Sequence, residues 1–473
     1  MLIEKMYLDG QAFESGETCD VINPATDKVV AAIQVANLDV AQKALNSAKA
    51  AEKSWSKTSI AERVSWMKKL RAALLEREDD LRMCVHLEAG KTWDGTQEDF
   101  DLLVNSLEFY AEEIQRYQPS QLQDTQSKAV HTLNYRPVGV VVAYLSWNFP
   151  LLNLSYKLGP AMATGCPIIL KPSVQSPLSA YLVGSICQEI GLPAGAVTII
   201  AGGNRDVSDL ISGSKIPSML TLIGSIATGV KIMQAGATSI KRYSMELGGN
   251  TPFVVFKDAD LDKAADILCA LKYGNSGQIC VAPNRVFVDE AVHAQFLAKI
   301  LDKTKQVKLG FGRDSDATMG PVISKSARAG IHKLVVDALE QGAQLQAGGS
   351  FDEDAVGAFY PPTVLSHVDE SMDIYQHEIF GPVISIISFS DEQKVIEQVN
   401  DTDTGLASYI FSEDINKAQL VAAQFEFGEI QINGVQYAIN LPHVGIKQSG
   451  IGCDCSKYAL DDYLYLTRTS RTL

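Results

Sequence analysis

Five short apolar runs between residues 138 and 256 constrain this chain more than any other feature: "VGVVVAYL", "CPIIL", "AVTIIA", "SMLTLI" and "PFVVF". Each is rich in β-branched residues and apolar at successive positions, so as a strand it has two apolar faces. Helical patterns over 176–190 and 225–236 lie between them. Such an alternation implies a parallel sheet covered by helices on each side, an α/β architecture of the nucleotide-binding type. A second alternating set follows, with "NRVFV" near 284, a helix over 291–307, "PVISIISF" near 382 and "GEIQIN" near 428. It reads as a second α/β domain. Upstream, 38–55 and 59–89 carry apolar residues at helical spacing, among them Val64, Met67, Leu70, Leu74 and Leu75, and read as surface helices. The opening "MLIEKMYLDGQAF" alternates like a strand and turns at "DG". Residues 115–137 are polar and then strand-like, which predicts a protruding hairpin that the C-terminal "YLYLTRTSRTL" or another subunit pairs with.

A chain of 473 residues exceeds the size at which one core stops growing, so two or more domains are expected. The net charge of −15 argues against nucleic acid and anionic membrane surfaces as partners, since both attract basic patches. The most apolar region, 138–152, is broken by "SWNFP" well short of the roughly 20 residues a membrane span needs. The N-terminus lacks the basic start and apolar run of a signal peptide. The 8 cysteines are scattered without zinc-like double pairs, which fits a reducing, cytoplasmic setting and no bound metal. The one close pair, Cys453 and Cys455, is too little to define a metal site.

Four features carry chemistry. Cys280 lies in "NSGQICVAPNR", a small, polar run that looks poor at burying a thiol; a thiolate there is a nucleophile towards a carbonyl, and a small core filler is the plainer reading. Glu246 in "MELGG" follows a strand-like stretch and precedes two glycines. In apolar company it suits general-base work; alone, it also reads as a capping or salt-bridged residue. Asn148 in "SWNFP" offers an amide donor to an oxyanion, or simply a turn before a helix. Lys171 in "LKPS" and the helix start at Gly224 and Ser225 in "IGSIATG" supply positive charge and free N–H groups for a phosphorylated ligand. The GxGxxG dinucleotide fingerprint is absent.

Together these motifs resemble one family, the NAD(P)-dependent aldehyde dehydrogenases of the non-acylating branch. The resemblance runs from "INPATDKVV" through "WNFP", "LKPS", "MELGGN" and "GQICVAPNR" to "EIFGPV" and "GIKQSG", and 34 residues separate Glu246 from Cys280 as in the family. It implies two parallel-sheet domains and a small β oligomerisation element. Residues 1–114 and 138–248 would bind NAD or NADP, 249–450 would carry catalysis, and 115–137 with 451–473 would join subunits into a homodimer or homotetramer. By the same resemblance Cys280 is the nucleophile, Asn148 and the Cys280 N–H hold the oxyanion, and Glu246 activates water against the thioester. The cofactor would be lined by Trp147, Lys171, Ser173, Gly202, Gly224, Ser225, Leu247, Glu378 and Phe380.

Departures from the family pattern bear on specificity. Val174 stands where NAD-preferring members carry a glutamate, so a barrier to the 2′-phosphate of NADP is missing. Asp454 replaces a longer acidic residue, and no proton-relay role is carried over to it. Tyr156 and Gly274 stand where succinic semialdehyde dehydrogenases place arginines. His443 and Val444 replace a common Phe and Gly, as in some lactaldehyde and aminoaldehyde members. Phe149, Tyr156, Val281 and His443 are therefore expected around a short polar aldehyde such as lactaldehyde or glycolaldehyde, with an aminoaldehyde or succinic semialdehyde as the alternatives. A cysteine hydrolase would need a histidine to activate the sulfur, and the 7 histidines show no papain-like or caspase-like context. A non-enzymatic relative has no need for Cys280, Glu246 and Asn148 together.

Overall fold

The computed structural model describes residues 3–202 and 205–473, so the first two positions of the N-terminal strand reading lie outside the described residues. The first sheet runs in the order Gly450–Ile451, Arg242–Leu247, Pro217–Gly224, Val140–Tyr144, Ile168–Lys171, Val197–Ile199, Met6–Leu8, Gln11–Phe13. Its five central strands are parallel. Four of the five apolar runs build it, and Val140, Val141, Val142 and Ala143 are all fully buried, as strands covered on both faces require. The fifth run, Pro252–Val255, joins a second sheet instead. That sheet has the order Gln344–Ala347, Thr363–Ser366, Val383–Phe389, Arg285–Asp289, Pro252–Val255, Ala407–Phe411, Glu429–Ile432, and all but its first strand are parallel.

The helices differ from the sequence reading in one place. The pattern over 59–89 is two helices, Ile60–Leu75 and Glu78–Ala89. Val64, Met67, Leu70 and Leu74 are buried, but Leu75 turns outward at 40% exposure and the apolar stripe ends there. The next helix opens on Glu78, Asp79 and Asp80, three carboxylates at the positive end of its dipole. Segments 176–190, 225–236 and 291–307 form Leu178–Glu189, Ile226–Gly236 and His293–Thr304.

The hairpin Ser120–Leu122 and Ala129–Pro137 forms a third, antiparallel sheet with the tail strand Leu464–Thr472 of the same chain. Just before that tail, Gly450–Ile451 pairs antiparallel with Met245–Glu246 and so returns the chain to the first sheet.

A buried ion pair holds the helix that follows Asn148. Asp99 accepts from Lys91 Nζ at 2.8 Å and from the backbone N–H groups of Leu151 and Leu152, at 3.1 and 2.8 Å, in the first turn of Pro150–Thr164. Both side chains are buried. Asp99→Ala leaves the Lys91 charge uncompensated in the interior and is expected to cost about 3–5 kcal/mol, read as a lower thermal midpoint than that of Asp99→Asn.

Candidate active site

The two sheets line one cavity, and each contributes opposite strand ends. In the first sheet, neighbours Val140–Tyr144 and Pro217–Gly224 are where the order of strands reverses. The carboxyl ends at such a switch point leave a crevice for a ligand. Trp147 and Asn148 follow one of these strands, Gly224 and Ser225 end the other, and Lys171 and Glu246 lie at the carboxyl ends of their own strands. The second sheet offers its amino ends: Cys280 precedes Arg285–Asp289, Glu378 and Phe380 precede Val383–Phe389, and Glu429 opens Glu429–Ile432.

The loop that carries Cys280 explains its composition. Asn275, Ser276 and Gly277 have φ of 45°, 55° and 72°, three successive left-handed residues. A Cβ on Gly277 would collide with the Gly381 carbonyl. Ser276 Oγ donates to the Gly320 carbonyl at 2.7 Å, and Gln278 Oε1 accepts from the Ile323 N–H at 2.8 Å. The polar run is therefore itself buried at Ser276, Gly277 and Gln278, with the Ser276 and Gln278 side chains hydrogen-bonded internally. Cys280 itself is half-buried and lines a cavity of about 560 Å³.

Asn148 lines the same cavity with its amide fixed: Oδ1 accepts from Asn153 Nδ2 at 3.2 Å, and Nδ2 donates to the Gln278 carbonyl at 3.1 Å. The amide nitrogen carries two N–H groups, so a second donor is available to an oxygen beside Cys280.

Glu246 is not in apolar company. Its Oε1 lies 3.2 Å from His443 Nε2, and that nitrogen is 4.0 Å from Cys280 Sγ. The other ring nitrogen, Nδ1, is held by Glu429. A histidine therefore does reach the sulfur, although no local motif announces it. Burial, and then the Glu246 charge, push the Cys280 thiol up to about 12, with His443 opposing them. Burial works to lower the proton affinity of His443, but its bonds to Cys280, Glu246 and Glu429 prevail and hold it well above the usual imidazole range.

Phe149, Tyr156 and Val281 line the cavity as predicted. Lys91 Nζ sits 3.3 Å from the centre of the Phe149 ring, and the Tyr156 ring is 6.5 Å from His443. Sequence reasoning missed Glu429, Tyr437 and Leu441, which also line it. The only signal for Glu429 is a carboxylate opening the alternating strand "EIQI". Asp454 is bound through both oxygens to buried Lys157 Nζ, each at 2.6 Å. Cys453 and Cys455 are free thiols, and Cys453 Sγ faces backbone oxygens rather than its neighbour's sulfur.

A second crevice of about 480 Å³ adjoins the first through Ser146, Trp147, Ile223, Gly224 and Ser225. Lys171, Ser173, Arg205 and Lys231 line it against one carboxylate, Asp209. Lys171 Nζ donates to the Gly202 carbonyl at 2.7 Å, and Ser225 Oγ caps the helix Ile226–Gly236 by accepting from the Thr228 N–H at 3.3 Å. These groups fit a phosphorylated dinucleotide: cations, an open helix N-terminus and a passage to the thiol. Glu378 and Phe380 close the passage from the other sheet. Burial pushes the Glu378 carboxyl up to about 8, and a Cβ at Gly248 would collide with it. The Phe380 ring stands edge-on to Trp147, 5.5 Å between centres. Two of the predicted residues line neither crevice: the Leu247 side chain turns onto the helix at Gly229, and Gly202 touches the crevice only through its carbonyl on Lys171 Nζ. Val174 packs against the first core, and among the described residues Asp209 is the one carboxylate lining this crevice.

A crevice at the switch point of a parallel sheet, opening onto a cysteine, is the arrangement expected of a nucleotide-dependent oxidoreductase. Residues 12–469 match the sequence profile described as "Aldehyde dehydrogenase family". The chain belongs to this family and is an aldehyde dehydrogenase that uses NAD or NADP. It is 35% identical over 473 residues to a betaine aldehyde dehydrogenase of Bacillus subtilis, covering 97% of this chain and 96% of that one. It is 34% identical to a succinate-semialdehyde dehydrogenase [NADP(+)] of Escherichia coli, covering 98% and 95%. A lactaldehyde dehydrogenase of Escherichia coli is 33% identical, covering 97% and 96%. A crystal structure of betaine aldehyde dehydrogenase from Staphylococcus aureus in complex with NAD+ superposes with a TM-score of 0.96 at 34% identity, covering 99% and 95%. Among the described residues no helix is long and apolar enough to cross a membrane.

Burial lowers the Lys171 ammonium to about 8. A lowered lysine is charged below that value and neutral above it, so a ligand that needs the ammonium binds fully at pH 7 and weakens as pH rises through 8. Calorimetric Kd values for NAD(P) are expected to rise towards tenfold per pH unit above that point, and to flatten in Lys171→Met.

Proposed function

We propose that this enzyme oxidises a short, polar, uncharged aldehyde, of the lactaldehyde or glycolaldehyde kind, to its carboxylic acid. One observation carries the choice of substrate: among the described residues no lysine or arginine lines the catalytic cavity, whereas Glu98, Glu246, Glu378 and Glu429 do. A dicarboxylic semialdehyde would bring a second negative charge into this cavity without a partner. A short hydroxyaldehyde needs only hydrogen bonds, and His443, 4.0 Å from the thiol, and Tyr437 line the cavity that would offer them.

The chemistry assigned to the chain follows from the positions of its groups. The Cys280 thiol gives its proton to Glu246, which passes it to solvent, as the sulfur adds to the carbonyl carbon, and the oxygen that gains charge accepts from Asn148 Nδ2 and the Cys280 N–H. NAD(P), held along Lys171, Ser173 and the Ser225 helix start with Glu378 and Phe380 at its reactive end, supplies the hydride acceptor. The acyl group then remains on sulfur as a thioester. Glu246 takes a proton from water, whose oxygen attacks the acyl carbon, and the sulfur departs as the acid forms. The same thiol with a histidine alone would describe a hydrolase; the adjoining dinucleotide crevice favours oxidation.

A cationic aldehyde is the second reading. Glu98 and the rings of Phe149, Tyr156 and Tyr437 line the cavity and favour positive charge. The tail strand Leu464–Thr472 has a partner on one edge only and is largely exposed, which supports association into a homodimer or homotetramer through that edge. Free thiols throughout support a cytoplasmic, reducing setting.

A panel of lactaldehyde, glycolaldehyde, an aminoaldehyde and succinic semialdehyde, each with NAD and with NADP, tests the proposal through reduced-nicotinamide absorbance. The hydroxyaldehydes are expected to lead, with kcat/KM for the semialdehyde lower by about 100-fold or more. A leading aminoaldehyde would select the second reading, and a leading semialdehyde would overturn both.

A further inference from the structure

We propose that Cys280, His443 and Glu246 form a binding site for a divalent cation of the Zn2+ class, which captures the nucleophile and reversibly silences the enzyme. Only the silencing rests on the proposed function; the site itself rests on geometry. The three ligand atoms all lie within 4.8 Å of one another. A tetrahedral zinc centre sets its nitrogen and oxygen ligands about 3.3 Å apart and its sulfur and nitrogen ligands about 3.6 Å apart. Here His443 Nε2 is 3.2 Å from Glu246 Oε1 and 4.0 Å from Cys280 Sγ, so a small rotation about the cysteine Cα–Cβ bond completes the triangle.

The arrangement around the triangle is that of a prepared site. Metal-bound histidines nearly always give their second ring N–H to a carboxylate, which fixes the tautomer and aims the other nitrogen. Glu429 holds Nδ1 in this way and leaves Nε2 turned towards Cys280 and Glu246. No lysine or arginine among the described residues competes for the carboxylates within the cavity. Nearby Asp454 is committed to Lys157 and stays outside the set. The cavity of about 560 Å³ gives the ion a way in and leaves its fourth position to water, as in open zinc sites. Coordination moves no electrons. The S–H proton, and the Nε2 proton of a charged imidazole, leave to solvent as the metal bonds form.

The test uses the full chain without cofactor or aldehyde. Calorimetric titration with ZnCl2 is combined with the rate at which iodoacetamide labels Cys280, read on its own peptide by mass spectrometry. One equivalent of zinc is expected to bind and slow labelling at least tenfold, EDTA to restore it, and MgCl2 to do neither, because magnesium selects oxygen ligands. His443→Phe removes a ligand and is expected to weaken zinc about 100-fold. Glu429→Gln keeps all three ligands and is expected to weaken it about 10- to 100-fold, which reads the site even if the first variant folds poorly. Zinc that binds both variants as tightly as the parent, or leaves Cys280 labelling unchanged, overturns the proposal. Because neither readout needs turnover, zinc protection in a protein that oxidises no aldehyde would leave this site standing and overturn the proposed function instead.

Discussion

The antiparallel pairing of Gly450–Ile451 with Met245–Glu246 ties the end of the chain's second sheet region back to the edge of its first sheet. This ladder is short, yet the active site depends on it. Glu246 sits at one end of the pairing, and the loop just before Gly450 carries His443, whose backbone pairs in turn with Asp454. The carboxyl ends of one parallel sheet thereby face the amino ends of another across a single cavity. Lys171, Ser173 and the Ser225 helix start come from one side, and Cys280, Glu378 and Phe380 from the other, so the cavity and its adjoining crevice need both sheets.

Charge inside that cavity is distributed unevenly. Four carboxylates line it without a lysine or arginine, and the one imidazole lies between two of them. Cations are instead placed one layer out: Lys157 on Asp454, and Lys91 on Asp99 beneath the Phe149 ring. The adjoining crevice is of opposite sign, with Lys171, Arg205 and Lys231 against Asp209. The two adjoining crevices thus differ in the sign of their lining charges, and the proposed preference for an uncharged aldehyde rests on that difference.

The alternation of apolar runs made both sheets legible, because parallel strands covered on two faces leave the same unbroken pattern wherever they occur. Cys280, Glu246 and Asn148 were legible as candidates because each stands in a short run whose composition departs from its surroundings. The helix Pro150–Thr164 was legible only at its start, after the turn at Asn148, since it is buried nearly all round, contains Pro160, and so shows no amphipathic stripe. The contact of His443 with Cys280 was invisible for a different reason: 163 residues separate them, and only the fold brings them together. Glu429 was hidden inside a strand pattern, and a motif gives the position of Leu247 without giving the direction of its side chain. The polar look of residues 275–278 records backbone geometry and internal hydrogen bonding, which composition alone does not reveal.

The central claim is that the Cys280 sulfur becomes acylated during turnover. Rapid quench of a Glu246→Gln variant with aldehyde and NAD(P), followed by mass spectrometry of the Cys280 peptide, tests it most directly. A mass increase of one acyl group on that peptide, accompanied by about one equivalent of reduced nicotinamide and little further turnover, is the result the account predicts. Reduced nicotinamide released in many equivalents with an unmodified Cys280 peptide would contradict it.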